Sequence, residues 1–266
     1  MNIQAANFVG SIPENYDRGL GPYIFTDYAD DLAARVAQLR PATVLELAAG
    51  TGIVTRKLRD VLERDCELLA SDLNPPMLEV AQAKFQADEL VRFEEVDAMT
   101  LKFDEATFDV VACQFGVMFF PDKERSYAEV LRVLNPGGSY VFNLWDSWDS
   151  NPFARITHET VAAFFPDDPP GFYKVPFGYH DADAIKASVL RAGFDRVTVD
   201  YLPLKSKIRS AATFAKGLVF GNPLSEEIIT RGGDPQAVCA AVEDAIARHL
   251  GSEMPLTALV VQATKT

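Results

Sequence analysis

The chain has 266 residues, enough for one large domain or one domain with a sizeable insertion, since domains run to roughly 100–200 residues. Hydrophobic residues make up 48% and charged residues 24% of it, ordinary values for a folded chain that exclude collagenous and disordered classes. The formal net charge is -13, nearly all of it carried by residues 1–150, which disfavours nucleic acid as a partner and favours a neutral or cationic small molecule.

The first periodic segment, Asp30 to Arg40, places Leu32, Val36 and Leu39 at helical spacing and stops at Pro41, which predicts an amphipathic helix. Strands and helices then alternate. Strand 43–48 leads to helix 52–63, strand 66–73 to helix 75–87, and strands 91–96 and 108–114 to helix 121–134, closed by NPGG before strand 139–144. Such alternation predicts parallel crossovers, hence an α/β doubly wound sheet covered on both faces. Residues 145–180 form an irregular stretch dense in Trp, Phe and Tyr. Helix 181–192, strand 197–202, a mostly helical region including 235–250, and strand 256–263 complete the chain. Four parts follow: an N-terminal arm and helix (1–40), a cofactor-binding core (41–146), and two helical lid insertions (147–180 and 205–254) above the carboxyl ends of the strands, where open α/β sheets bind ligands.

Cys66, Cys113 and Cys239 show neither paired spacing nor a histidine partner, so no disulfide framework and no metal site is expected. The longest nearly uncharged run, Val110 to Pro121, is far shorter than the roughly 18 apolar residues of a spanning helix. With no basic-then-apolar opening segment either, no membrane association is expected and the cytoplasm is the expected compartment.

The strongest local signal is VLELAAGTG, Val44 to Gly52, an apolar strand ending in a small-residue turn that lets a ligand approach the backbone. A dinucleotide fingerprint needs a third small residue. Ile53 or Thr55 stands there instead, depending on the frame. Glu46, just before the turn, would repel a pyrophosphate by about 3 kcal/mol per like-charge contact at roughly 5 Å. The same carboxylate suits a ligand bearing an ammonium and a sulfonium, the charge pattern of S-adenosylmethionine. Asp72 ends the next strand, spaced to accept both ribose hydroxyls, and Asp97 follows the third, where it could accept from an adenine amino group. Three acids at three successive strand ends line one side of the predicted sheet.

Together ELAAGTG, LASDLNPPML, EEVDAM, FDVVACQFGVMFF and LRVLNPGGSYVF resemble, in order, the motifs of the class I, Rossmann-like S-adenosylmethionine-dependent methyltransferases. The likeness is close from Asp30 to Asp146 and loose in the last strands. It implies a mostly parallel seven-stranded sheet of order 3-2-1-4-5-7-6 with strand seven antiparallel, and S-adenosylmethionine as cofactor. It also implies that Glu46, Gly50 and Gly52 hold the methionine part, Asp72 the ribose, Leu73 and Met77 the adenine faces, and Asp97 and Ala98 the adenine edge. Gln114 and Phe115 would border the cofactor. Ala48 departs from the family's first turn glycine, and leaves the turn passable if its φ is negative. Tyr16, in the arm, is expected near the methionine end.

The resemblance implies direct methyl transfer to a small-molecule acceptor. The aromatic stretch reads either as a self-packing lid or subunit contact of a homodimer, or as a pocket for an apolar or aromatic acceptor with Phe119, Trp145, Phe177 and His180 on its walls. The basic run Lys205 to Arg209 reads as a solvated face or as an attractor for an acceptor carboxylate. His158, His180, Tyr16 and Tyr23 are the available proton acceptors, and none is singled out as a catalytic base. Two other functions stay open: a non-catalytic module that binds the cofactor for regulation, and a nicotinamide-dependent oxidoreductase.

Overall fold

A computed structural model describes residues 6–266; the first five residues of the expected arm lie outside the described residues. Helix α1 (Ile12–Gly19) and a π-helical turn, Gly21–Phe25, precede α2 (Thr26–Gln38). The arm is therefore more helical than expected, and α2 starts four residues before Asp30. Then come β1 (Thr43–Glu46), α3 (Ile53–Val61), β2 (Glu67–Asp72), α4 (Pro75–Gln82), β3 (Val91–Glu95), β4 (Phe108–Gln114), α5 (Lys123–Val133) and β5 (Leu134–Trp145). NPGG lies inside the recorded span of β5 rather than before it, because the β4–β5 register shifts there and Phe108 pairs with Leu134 but Val110 with Ser139.

The chain continues through α6 (Pro152–Ala162), α7 (Ala182–Arg191), β6 (Arg196–Lys207), α8 (Ala211–Phe220), α9 (Leu224–Thr230), α10 (Pro235–His249) and β7 (Glu253–Thr264). The stretch expected to be irregular thus contains an 11-residue helix, α6, begun by Pro152 at the first helical position, where its missing N–H costs nothing. Strands β6 and β7 are each 12 residues long, well beyond the apolar runs that predicted them. Their outer halves pair with each other up to Lys207 and Glu253, so a polar sequence is held extended by ladder bonds. The second insertion consequently begins after β6, at α8.

The sheet has seven strands in the order β3-β2-β1-β4-β5-β7-β6. Neighbours from β3 to β5 are parallel, and β7 runs antiparallel to both β5 and β6. Val44, Leu45, Val110, Val111, Val141 and Phe142 are all essentially inaccessible, as expected for central parallel strands covered on both faces. Side chains cap helices α5, α7 and α8: Asp122 accepts from the Arg125 N–H, Asp181 from Ala184, and Ser210 from Thr213, each bond filling one orphan donor. Among the described residues, no helix is long and apolar enough to cross a membrane.

Candidate active site

Strands β1, β2 and β3 end side by side, and the chain leaving each forms one end of a cleft of about 1180 Å³, counting its mouth. Tyr16, Ala48, Gly50, Asp72, Leu73, Met77, Asp97, Ala98, Gln114, Phe115, Phe119, Trp145 and Phe177 all line it. Glu46, Gly52 and His180 do not.

The glycine turn explains its own sequence. Gly50 and Gly52 have φ of 57° and 78°, a region that L side chains rarely adopt. A Cβ on Gly52 would lie 2.9 Å from that of Ala81, so glycine there allows α3 to pack against α4. The condition attached to Ala48 is not met: its φ is 52°. An alanine in this region carries about 1–2 kcal/mol of strain. Room for its methyl comes from the neighbouring strand end, where a Cβ on Gly116 would fall 2.6 Å from Ala48 Cβ and 2.7 Å from Cys113 Sγ. Side-chain volume has moved from one wall to the other, a pairing invisible in either motif alone.

Asp72 is buried. Its Oδ2 accepts the Gly50 N–H at 2.9 Å, and its Oδ1 accepts the backbone and side-chain N–H groups of Asn74 at 2.8 and 3.1 Å. Burial raises its pKa above the ordinary carboxylate value, against the pull of those bonds. Glu46 is more deeply buried, behind the turn rather than in the cavity wall, and its Oε2 has no hydrogen-bond partner. Burial pushes its carboxyl up to about 8, against the pull of the neighbouring Thr55, and the Asp72 charge adds to the push. Asp97 is exposed, with Oδ1 accepting the Met99 N–H at 2.8 Å.

The N-terminal arm closes over this end. Asp17 accepts the Thr51 hydroxyl at 2.7 Å and pairs with Lys84, fastening α1 to the glycine turn and to the segment just after α4. The Phe8 N–H donates to Asn74 Oδ1 at 3.2 Å. Tyr16 stacks on Phe25 at 4.8 Å, and burial, with Asp72 and Asp17 nearby, holds its phenol protonated.

The other end of the cavity, beyond β4 and β5, is aromatic. Phe115 stacks on Trp145 at 4.0 Å with 10° between the rings, and Trp145 on Phe177 at 5.8 Å. Phe153, Phe172, Tyr173, Leu218 and Asn222, all from the insertions, complete this wall. Phe153, Phe172 and Tyr173 belong to the aromatic stretch read from sequence as a self-packing lid or an acceptor pocket, whereas Leu218 and Asn222 carry no sequence signal. Tyr173 donates to the Leu218 carbonyl at 2.9 Å, joining the two insertions.

His180 is exposed and lies in a separate surface groove with Asp146 and Lys186, because the chain turns outward after Phe177 to start α7. His158 packs on Trp148 at 4.8 Å, away from the cavity, and burial lowers its affinity for a proton. Tyr23 is buried against Phe214 at 5.0 Å. Lys205 pairs with Glu253 at 3.4 Å on the β6–β7 extension and does not reach the cavity. Of the four proton acceptors considered, only Tyr16 borders it. Cys66 and Cys113 are buried and Cys239 partly so, none of them disulfide-bonded. No cluster of metal-ligating side chains occurs among the described residues.

Residues 45–142 match the family model described as a methyltransferase domain. A demethylmenaquinone methyltransferase of Deinococcus radiodurans is 41% identical over 110 residues, covering 41% of this chain and 45% of that protein; the chain thus spans about half the length of that relative. The ubiquinone/menaquinone biosynthesis C-methyltransferase UbiE of Ectopseudomonas mendocina is 32% identical over 175 residues, 60% of this chain and 68% of that protein. The crystal structure of the YcgJ protein of Bacillus subtilis shares the fold, with a TM-score of 0.60 and 18% identity over 90% of this chain and 98% of its own. With the sheet order, the turn and the matched sequence in agreement, this chain belongs to the class I S-adenosylmethionine-dependent methyltransferases, whose cofactor is S-adenosylmethionine.

Proposed function

We propose that the protein methylates a small, uncharged acceptor bearing a flat ring, with the reduced head group of a quinone as the first candidate. One observation carries the reading: a single cavity joins a glycine-turn end edged by Asp72 and Asp97 to an end walled by Phe115, Trp145, Phe153 and Phe177. The names of the sequence relatives point to the same class of ring.

The residues at the first end fit the cofactor. Glu46 Oε2 is buried without a partner, the state expected of a carboxylate meant to answer an ammonium. A Cβ on Gly50 would come within 3.4 Å of Met77 Cε, so its absence leaves the turn open to a ligand. In this reading Glu46 balances the ammonium from behind the turn, with Tyr16 at the same end. Ala48, Gly50 and Gly52 form the backbone cradle. Asp72 takes the ribose hydroxyls, Leu73 and Met77 flank the adenine, and Asp97 and Ala98 meet its edge. The cofactor, when bound, supplies an electrophilic methyl group on a sulfonium.

The chain's own part is to align and to exclude water. Holding two reactants in line contributes up to about 7–11 kcal/mol of barrier lowering. Among the described cavity residues there is no His, Lys, Arg or Glu, and burial keeps Tyr16 and Tyr173 protonated. No side chain at the ring end is poised as a base near neutral pH. The acceptor therefore brings its own acidity, as a phenol or quinol does. The three thiols without disulfides are compatible with the reducing cytoplasm, the compartment this reading assigns.

Calorimetric titration with S-adenosylhomocysteine, followed by labelled-methyl transfer to naphthoquinol, phenol, amine and thiol acceptors, tests the proposal. Firm uptake is expected, with methylation of a ring acceptor. Asp72→Ala should weaken uptake about tenfold to a hundredfold, the loss of charged hydrogen bonds worth roughly 1.5–3 kcal/mol. Firm uptake with no acceptor methylated would shift the reading to a non-catalytic cofactor-binding module.

A further inference from the structure

The wall beneath the expected acceptor ring rests on a polar chain that no motif identifies. Asn143 lies near the carboxyl end of β5, 1% exposed, at a position where a central strand ordinarily carries an apolar residue. Its Oδ1 accepts the Phe115 N–H at 3.0 Å, a donor it shares with its own backbone carbonyl at 3.1 Å, and its Nδ2 donates to Gln114 Oε1 at 3.2 Å. Gln114 Nε2 in turn donates to the Phe25 carbonyl at 3.2 Å. Both ends fix the direction of the chain. A backbone N–H can only donate and a carbonyl can only accept, so neither amide can be reversed without leaving a mismatched pair.

What this chain holds is a strained residue. Phe115 has φ of 51°, a conformation that bulky side chains avoid and that persists only where surroundings impose it. That backbone turn lays its ring flat on Trp145 at 4.0 Å. The far end of the chain grips Phe25, whose ring lies 5.6 Å from that of Phe115 and 4.8 Å from that of Tyr16. Gln114, Phe115, Trp145 and Phe25 all line the cavity, whereas Asn143 stands behind it.

We infer that Asn143 is a positioning residue for the acceptor: through Gln114 and the Phe115 N–H it sets the Phe115–Trp145 stack against which the ring lies, and ties the N-terminal cover to that stack. The inference rests on the proposed function for its kinetic consequence but not for its structural one. A purely structural role would disturb stability alone. A positioning role also alters the environment of Trp145 and the handling of acceptor while leaving cofactor affinity in place.

The test uses the full chain with Trp148→Phe, which makes Trp145 the sole tryptophan. Adding Asn143→Leu should change Trp145 emission and lower acceptor kcat/KM by about 10- to 100-fold, the scale of a misplacement near 1 Å, with S-adenosylhomocysteine affinity within about threefold of the parent. Asn143→Asp should restore both readouts at about pH 6, where a carboxyl buried this deeply stays protonated and offers the same donor and acceptor. If Asn143→Leu does not fold, Gln114→Met breaks the next link and should change Trp145 emission and acceptor kcat/KM in the same way, with no expectation attached to cofactor affinity because Gln114 itself lines the cavity. Unchanged Trp145 emission and unchanged kcat/KM in a folded variant would overturn the inference. If the parent protein methylates no ring acceptor, the proposed function fails, and the Trp145 emission of the variants still decides what Asn143 does.

Discussion

The two ends of the cavity are built by opposite means. At the cofactor end, beneath the N-terminal arm that is fastened over it, the cradle itself is local in sequence: the Asp72 carboxylate holds Gly50 across 22 residues, and its other bonds go to Asn74, two residues away. At the ring end, Tyr173 reaches Leu218, and behind that wall Asn151 reaches Thr257 and Tyr23 approaches Ser210 from 187 residues away. The first end is set by strand ends and one turn, and the second by folding distant segments onto each other. Damage should therefore be local and ligand-specific in one, and spread through packing in the other.

The sharpest break of that comparison is Trp145→Ala. Trp145 is buried against Phe115, Phe153 and Phe177, and truncating a buried aromatic of this size costs about 3–5 kcal/mol. Denaturant titration should show that loss, together with weakened acceptor turnover. A variant that kept full stability and full turnover would show that the aromatic wall is not a packed unit.

Next in size is a pH effect confined to the cofactor end. Burial raises the Glu46 carboxyl from its ordinary 4.5 to about 8, so the folded protein holds this proton more tightly than the unfolded chain does. The associated stability is fully present below about 4.5 and is lost as pH rises through about 8. A bound ammonium favours the ionised form and must expel the proton at lower pH. Affinity for S-adenosylhomocysteine should therefore fall as pH drops below about 8, by up to about tenfold per unit. Calorimetry across this range should show a flatter profile in Glu46→Gln, and an unchanged slope in that variant would remove Glu46 from the cradle.

The smallest expected effect concerns Ala48. Ala48→Gly relieves a left-handed conformation worth about 1–2 kcal/mol but adds unfolded-state freedom worth about 0.4–1 kcal/mol. A net gain of roughly 0–1.6 kcal/mol should appear in denaturant titration, while Gly116→Ala should be clearly destabilising because its methyl would meet Ala48 Cβ and Cys113 Sγ. Equal effects of the two changes would show that the exchange of volume between these walls is not real.

The core of the sheet and one end of the cavity were legible in the sequence. Apolar runs such as Val44–Leu45 and Val110–Ala112 announce strands buried on both faces, and Glu46, Asp72 and Asp97 mark where those strands stop. The outer halves of β6 and β7 were not legible: residues such as Lys205 and Glu253 carry no strand signal and are held extended by pairing with each other. His180 was misplaced for a related reason. Its aromatic neighbours suggested the pocket, but only the path of the chain after Phe177 shows that it faces away.

By itself the sequence determined the order of elements, the small-residue turn and the acids that follow the strands, because these depend on residue type and spacing along a few neighbouring positions. Tertiary structure alone decided that Ala48 is left-handed against Gly116, that Asn143 supports Phe115, and that two insertions share one aromatic wall. Each of these depends on which distant atoms come within about 4 Å of one another, and a linear pattern carries no such distances.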